Sequence, residues 1–400
     1  MSDRHILYGT TFLRALATGL MGVLLGIYLD RLAFTPAEIG LVIGAGLSGA
    51  ALSTLIVTFL GDRLGRRRSL LTLGLTAAAG GFALILTTHL AAVCAVAFLG
   101  MVNGMGRDRG AQLVLEQAIL PGAAAPEART RAFAWYNVLQ DVGHALGGML
   151  AAIPTVAREG FGAGELASFH AAVGVYAVLL LAGALLYGFL TPAVEARAPR
   201  AAARLSLESR RVLWRVSALF ALDSLAGGFL GTALLAYFFY QRFGVSEVAI
   251  ALLFLLARSA NAASHVAAAW LAARIGLVNT MVFTHIPSSL LLMIVPFAPS
   301  FVAAAALFLL REALVEMDVP TRQSYVMAMV RPEERTFASG VTHLVRMGGW
   351  AVAPFAAGFL MQGLALAAPL LVGAGMKIGY DLLLYRSFRD LKPPEERAAG

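Results

Sequence analysis

Long apolar stretches alternate with short polar or Pro/Gly-rich clusters along nearly the whole chain. A helix needs about 20 apolar residues to cross the hydrocarbon of a bilayer, and its connecting loops must lie outside it. The pattern therefore predicts an all-α membrane protein with twelve transmembrane helices. Their expected positions are 7–30, 37–60, 70–88, 91–119, 130–154, 168–191, 213–240, 246–272, 277–297, 300–328, 336–362 and 365–385.

The composition agrees with a lipid environment. Of the 400 residues, 59% are hydrophobic and 14% are charged, whereas an average soluble domain has about 25% charged residues. Cys94 is the only cysteine, which excludes a disulfide framework and a thiolate metal cluster. The net charge of +8 comes mainly from Arg in short loops, so we predict no nucleic-acid partner.

Basic residues concentrate in alternate loops, and this asymmetry predicts the orientation, because loops rich in Lys and Arg stay in the cytoplasm. The loops after the even-numbered predicted helices contain Arg63, Arg66, Arg67, Arg68, Arg129, Arg131, Arg197, Arg200, Arg204, Arg210, Arg211, Arg274, Arg331 and Arg335. The opposite loops hold little beyond Arg31, Arg158 and Arg242. We predict a multi-pass protein of a bacterial inner membrane, with both termini cytoplasmic and no cleaved signal peptide.

The chain divides into two similar halves. Residues 192–212 form the longest polar segment and are interpreted as a cytoplasmic linker between residues 1–191 and 213–400. A shift of 209 places Gly19 and Gly22 of the first half on Gly228 and Gly231 of the second. Two parallel six-helix halves are typical of a transporter whose site lies at their interface.

The loop between the second and third predicted helices carries a specific motif, TFLGDRLGRRRSLL, at residues 58–71. It resembles the G-x-L-a-D-R-x-G-R-R-x-x-L loop of the major facilitator superfamily. The matching residues are Leu60, Gly61, Asp62, Arg63, Gly65, Arg66, Arg67 and Leu70, while Thr58 replaces the first Gly. The resemblance implies two pseudo-symmetric six-helix bundles, a small-molecule substrate and a monomer.

The resemblance also implies that this loop is a conformational latch made by Asp62, Arg63, Gly65, Arg66 and Arg67. In the family the Asp faces the N-terminus of helix eleven, where a carboxylate is favoured by the helix dipole. A contact present in only one of two states biases their populations. The alternative is that the basic loop only fixes topology through its positive charge.

Several ionisable residues fall inside the predicted helices, where they cost a few kcal/mol and usually face the bundle interior. The resemblance places helices one, four, seven and ten around a central cavity. The residues on these helices that we single out are Arg14, Arg107, Asp108, Arg109, Glu116, Gln117, Asp223, Glu312, Glu316 and Gln323. The alternative is a set of buried ion pairs that only fix helix packing.

Charge and spacing sort these residues into two expected roles. Glu312 and Glu316 lie four apart on one helix face, so their carboxyl groups repel and one should hold a proton. They are the first candidates for proton coupling, followed by Asp223, Asp108 and Glu116. For substrate binding we expect Arg14, Arg107, Arg109, Gln117, Asp223 and Gln323. The guanidinium groups of the three arginines can bind a carboxylate or phosphate through two hydrogen bonds.

No catalytic, nucleotide-binding or metal-ligand motif accompanies these charges, so we predict no enzyme activity, no cofactor and no metal. The expected function is secondary transport of a small organic solute, with protons as the coupling ion and efflux by antiport favoured by the loop motif. The antiporter signature of helix four is met only in part, since Gly100 stands at its Arg position. The alternatives are proton-coupled uptake of an organic anion and a membrane sensor or enzyme that transports nothing.

Overall fold

The computed structural model describes residues 2–123, 129–195, 207–317 and 335–388, and within these ranges it contains helices and turns but no strand. The helices are α1 (Asp3–Arg31), α2 (Pro36–Leu64), α3 (Arg66–Ile85), α4 (Leu90–Leu99), α5 (Ala111–Ile119), α6 (Arg129–Met149), α7 (Ile153–Phe161), α8 (Glu165–Tyr187), α9 (Leu207–Phe229), α10 (Thr232–Phe243), α11 (Glu247–Ile275), α12 (Leu277–Ile294), α13 (Phe301–Val315), α14 (Arg335–Gly363) and α15 (Ala368–Phe388). The all-α prediction is confirmed.

Eight helical segments in the described ranges are long and apolar enough to cross a bilayer. Large apolar side chains on their outer surfaces face away from the protein, as Phe283 (60% exposed) and Trp214 (77%) do. A surface so rich in exposed hydrophobic residues is stable only against lipid. The multi-pass membrane prediction is therefore confirmed, while the count of twelve stays a prediction.

Local sequence sets where α2 begins. Thr35 accepts a hydrogen bond from the Glu38 backbone N–H, and the Glu38 side chain accepts one from the Thr35 backbone N–H at 2.8 Å. Pro36 occupies the first helical position, where its missing N–H costs nothing. This capping box stabilises the start of the helix.

The structure divides into two compact units, which are described separately. Unit 1 comprises Met1–Arg200, Gly231–Leu255 and Pro354–Gly363. In it, α1 packs against α6 and α8, α3 packs against α8, and α2 packs against α4. Small residues permit the α1–α6 contact, because a Cβ on Gly19 would lie 2.4 Å from the His144 carbonyl oxygen and one on Gly147 would lie 2.2 Å from that of Leu16.

Two segments from the second half of the chain pack closely within unit 1. The first is α10, which contacts α1 where a Cβ on Gly26 would lie 2.6 Å from the Ala233 carbonyl oxygen. The second is the end of α14, where a Cβ on Gly358 would lie 2.5 Å from the carbonyl oxygen of Pro36 in α2. Both contacts depend on glycine, because backbones approach each other without side chains between them.

Unit 2 comprises Ala201–Leu230, Leu256–Ala353 and Leu364–Gly400. Here α15 packs against α9 and α12, and α12 packs against α13. Phe220, Met281, Tyr380 and Leu384 are members of its buried apolar core. The predicted division into residues 1–191, 192–212 and 213–400 stays a prediction.

Candidate functional site

The fourth predicted helix is interrupted. The sequence pattern predicts one helix over 91–119, but the chain forms α4, an irregular segment from residue 100 to residue 110, and α5. That prediction was wrong because apolar composition does not reveal backbone breaks, although four glycines in eleven residues were a signal. Met101 and Gly106 have positive φ angles of 52° and 68°. Irregular backbone at membrane depth is tolerated where it is buried in protein or lines a cavity.

Hydrogen bonds and close packing within unit 1 hold the irregular segment in place. The Ala233 backbone N–H, at the start of α10, donates to the Gly104 carbonyl oxygen at 2.9 Å. Thr232 Oγ1 donates to the Met105 carbonyl oxygen at 2.7 Å. A Cβ on Gly22 of α1 would lie 2.2 Å from the Gly106 Cα, so α1 touches the segment directly. The break is thus held by two other helices.

A buried ion-pair network joins α1 to the irregular segment and α5. Arg14 Nε donates to the Asp108 carboxylate, and its Nη1 and Nη2 atoms donate to the two oxygens of Glu116 at 3.0 and 2.6 Å. All three side chains are buried, Glu116 completely. A guanidinium that meets a carboxylate at two points forms a strong charge-assisted pair. The structure thus brings together three residues singled out from the sequence.

Three hydroxyl groups complete the surroundings of Glu116. Thr10 Oγ1 and Tyr187 Oη donate to its Oε1 atom at 2.6 and 2.7 Å, and Tyr136 Oη donates to its Oε2 atom at 2.6 Å. An ionised carboxylate only accepts hydrogen bonds, through about four lone-pair sites. Together with Arg14, these donors occupy the hydrogen-bond acceptor sites of the ionised Glu116 carboxylate. Sequence reasoning missed the three hydroxyl residues, since nothing distinguishes them from other polar residues in apolar helices.

A cavity of about 50 Å³ adjoins this network. Arg14, Asn103, Asp108 and Gln112 provide its polar lining. Ligand pockets usually measure about 300–1,000 Å³, whereas a water molecule occupies about 30 Å³ of liquid. The cavity has room for water beside the ion pair but is too small for an organic solute in this conformation.

The other predicted substrate residues of the first half are Arg107, Arg109 and Gln117. Arg107 and Arg109 are half-buried in the irregular segment, where the Asn103 side chain donates to the Arg107 carbonyl oxygen at 2.7 Å. Gln117 is exposed on α5. Gln323 lies outside the described residues.

In unit 2, Asp223 on α9 is buried beside two cations. Lys377 Nζ on α15 donates to its Oδ1 atom at 2.9 Å, and Arg346 Nη2 on α14 lies 3.9 Å from its Oδ2 atom. Sequence reasoning missed Lys377, because it lies on the twelfth predicted helix and only helices one, four, seven and ten were searched for substrate residues. In this structure both oxygens of Asp223 face protein cations.

The other acidic candidates of unit 2 lie on α13. Glu312 is 6% exposed and its carboxylate contacts the guanidinium of Arg311. Asn261 Nδ2 on α11 donates to Glu312 Oε2 at 2.9 Å. Glu316 follows the last residue of α13 and is half-buried. The predicted proton-carrier role of Glu312 and Glu316 stays a prediction.

The motif loop lies between α2 and α3. Asp62 Oδ1 accepts a hydrogen bond of 2.7 Å from Arg66 Nε, one turn along the chain. Gly65 has a φ of 88°, which suits glycine and turns the chain sharply between the helices. Arg67 donates to the Gly188 carbonyl oxygen after α8, and Arg63 is exposed.

Helices at membrane depth, the motif loop and buried charges on α1, α5, α9 and α13 define a membrane transport protein. The chain belongs to the major facilitator superfamily, whose sequence profile matches residues 7–354. The resemblance drawn from the motif loop is therefore confirmed.

Three known proteins are similar over almost the whole chain. An uncharacterised membrane protein of Saccharomyces cerevisiae, YJR124C, is 24% identical over 416 aligned positions, which cover 96% of this chain and 93% of the yeast protein. The solved nucleoside transporter NupG superposes with a TM-score of 0.75 at 16% identity, covering 97% of this chain and all of NupG. The human organic anion transporter MFSD10 superposes with a TM-score of 0.64 at 19% identity, covering 95% and 98% of the two chains.

Proposed function

We propose that this protein is a secondary active transporter that moves a small organic solute by alternating access, coupled to protons. The observation that carries the proposal is the broken helix between α4 and α5 beside the Arg14–Glu116 ion pair. Interrupted helices at membrane depth are a common construction of solute and ion sites in secondary transporters. Family membership and the transporter fold of NupG and MFSD10 support the same class.

Buried carboxyl groups support proton coupling. Asp108, Glu116, Asp223 and Glu312 are each less than one-tenth exposed and each contacts a cation. Such groups are retained in membranes mainly where they serve ion or proton movement. Charge compensation by Arg14 also means that an anionic solute would have to compete with Glu116 for this guanidinium.

Direction is proposed as efflux by antiport, on the resemblance of the Asp62–Arg67 loop to exporters of the family. A second candidate is uptake of an organic anion. Arg107 and Arg109 favour it, because they place two cations on the irregular segment. MFSD10 is itself an organic anion transporter, and NupG a nucleoside transporter, so both solute classes belong in the test. A non-transporting sensor or enzyme is the less favoured alternative, because it does not account for the resemblance to transporters.

The test uses purified protein in liposomes that contain a pH-sensitive dye. Pools of nucleosides, organic anions and lipophilic cations are added on either side under an imposed pH gradient. We expect one pool to produce solute-dependent proton movement, and the side on which it acts gives the direction. Asp108→Asn should abolish this movement, while the exposed-site control Glu159→Gln should retain it. Solute movement without protons would contradict coupling, and no movement of any pool would favour the sensor alternative.

A further inference from the structure

A line of buried ionisable groups crosses three helices of unit 2 next to Asp223. Lys377 Nζ lies 2.9 Å from Asp223 Oδ1 on α9 and 3.4 Å from His285 Nε2 on α12. The other ring nitrogen, His285 Nδ1, lies 2.9 Å from Asp381 Oδ1, one turn after Lys377 on α15. All four residues are at most 9% exposed. Lys377 therefore bridges α9 and α12 from a third helix.

With Lys377 as an ammonium, the contacts favour one tautomer of the imidazole. A lysine ammonium has only donors, so His285 Nε2 must accept and carries no proton. Asp381 only accepts when ionised, so Nδ1 carries the ring proton. His285 is thus neutral, and the carboxylates of Asp223 and Asp381 balance the cations of Lys377 and Arg346.

Three neighbouring elements bring side chains to this region. Tyr380 of α15 lies edge-on to the ring, with ring centroids 6.3 Å apart. α13 packs against α12, and its Arg311 and Glu312 contact each other. Arg346 of α14 reaches the line through Asp223. Among the described residues, Lys377 and Asp381 hydrogen-bond the His285 ring and respond to a proton on it.

We propose that His285 is the proton-binding group of this transporter and that its protonation opens the bridge made by Lys377. A proton added at Nε2 converts the ring to an imidazolium, which keeps Asp381 as its partner through Nδ1. The Nε2–H then points at the Lys377 ammonium, so the two cations repel and their hydrogen bond is lost. Lys377 retains Asp223, so α12 loses its hydrogen bond to Lys377 and keeps only the one to Asp381. This assignment rests on the proposed proton coupling and names its site.

Within this row of buried groups, the side chains at the Arg346 end are more exposed than that of His285. The Arg346 side chain is 17% exposed and that of Lys377 is 11% exposed, against 2% for His285. In this proposal the proton approaches the imidazole from the more exposed Lys377 side of the ring. Histidine suits this task because its charge normally changes between about pH 5 and pH 8.

The first test observes the imidazole itself. Full-length protein labelled with ¹⁵N-histidine is studied by NMR in nanodiscs, and the His285 signals are those absent from His285→Gln. We expect the Nδ1–H tautomer at the alkaline end of a pH series and an imidazolium at its acidic end. An Nε2–H tautomer, or no change across this range, would overturn the proposal whether or not any solute is transported.

The second test compares coupled and uncoupled movement of the solute found by the liposome screen. In His285→Gln, accumulation driven by a pH gradient should be lost, while solute exchange without a gradient persists and reports an intact fold. Lys377→Arg, which keeps the charge, should retain coupling, and so should the control His89→Gln in an exposed loop. Coupled accumulation retained by His285→Gln would refute this site alone. A wild-type protein without coupled accumulation would instead refute the proposed function.

Discussion

The carboxylate of Glu195 accepts a hydrogen bond of 2.6 Å from the backbone N–H of Arg66, the first residue of α3. It also accepts the N–H of Arg67 at 3.3 Å. The first N–H groups of a helix have no partner within it, and the helix dipole favours an anion there. Glu195 follows the 3-10 turn Pro192–Val194, so the start of the predicted linker is tied to the motif loop.

Removal of this cap should destabilise the protein. We expect Glu195→Ala to lower the free energy of unfolding by about 1 kcal/mol, because two N–H groups lose their acceptor. Glu195→Gln keeps an acceptor without the charge and should lose less. Thermal unfolding in detergent measures the effect, with Glu159→Ala as the surface control. A Glu195→Ala variant as stable as that control would show that water replaces the carboxylate at no cost.

The ion pair of Asp62 and Arg66 provides the test of the latch. Asp62→Asn removes the charge that pairs with Arg66 Nε but keeps the shape of the side chain. We expect transport turnover to fall more than solute affinity, because a latch changes the populations of two states rather than the binding contacts. Turnover in liposomes and binding in detergent give the two quantities. A normal turnover rate would remove the latch hypothesis and leave the role in topology.

Loss of Arg14 should be the most damaging single change in unit 1. Arg14→Gln leaves the fully buried Glu116 without a counter-charge, which typically costs about 3–5 kcal/mol. The double variant with Glu116→Gln should be more stable than Arg14→Gln alone, since only Asp108 then lacks its cation. Unfolding of both single variants and the double variant forms a double-mutant cycle. Additive effects in that cycle would contradict a direct interaction.

The contact between α1 and α10 should open during transport. Gln241 Nε2 donates to Asp30 Oδ1 at 2.7 Å near the ends of these helices. In a Cys94→Ser background, cysteines at positions 30 and 241 joined by a reducible bifunctional thiol cross-linker should arrest solute movement, and reduction should restore it. Each single cysteine variant is the control. Full transport by the cross-linked double variant would mean that this contact stays closed throughout the cycle.

The sequence was sufficient for the outline of the fold because hydrophobic length and capping act locally. The span predicted at 37–60 corresponds to α2, whose start Thr35, Pro36 and Glu38 specify. The break before α5 escaped prediction because it depends on contacts with Gly22 and Thr232, which are remote in sequence.

The candidate site was predictable where a charge lay inside an apolar helix, as with Arg14 and Asp223. The partners of these residues were not, because pairing depends on which helix faces overlap after folding. His285 illustrates this limit: alone in the sequence it is typical of a buried core residue, and only Lys377 and Asp381 on another helix give it a chemical role.

The Arg14–Glu116 pair also constrains how the protein is made. Its partners are 102 positions apart, so α1 is synthesised well before the helix that neutralises it. An arginine at the centre of a membrane helix costs about 2.5–3.5 kcal/mol on insertion scales. Until α5 emerges, the apolar residues of the first helix alone offset this cost. A ribosome-stalled chain that ends before residue 111 should consequently be a preferred target for membrane quality-control proteases.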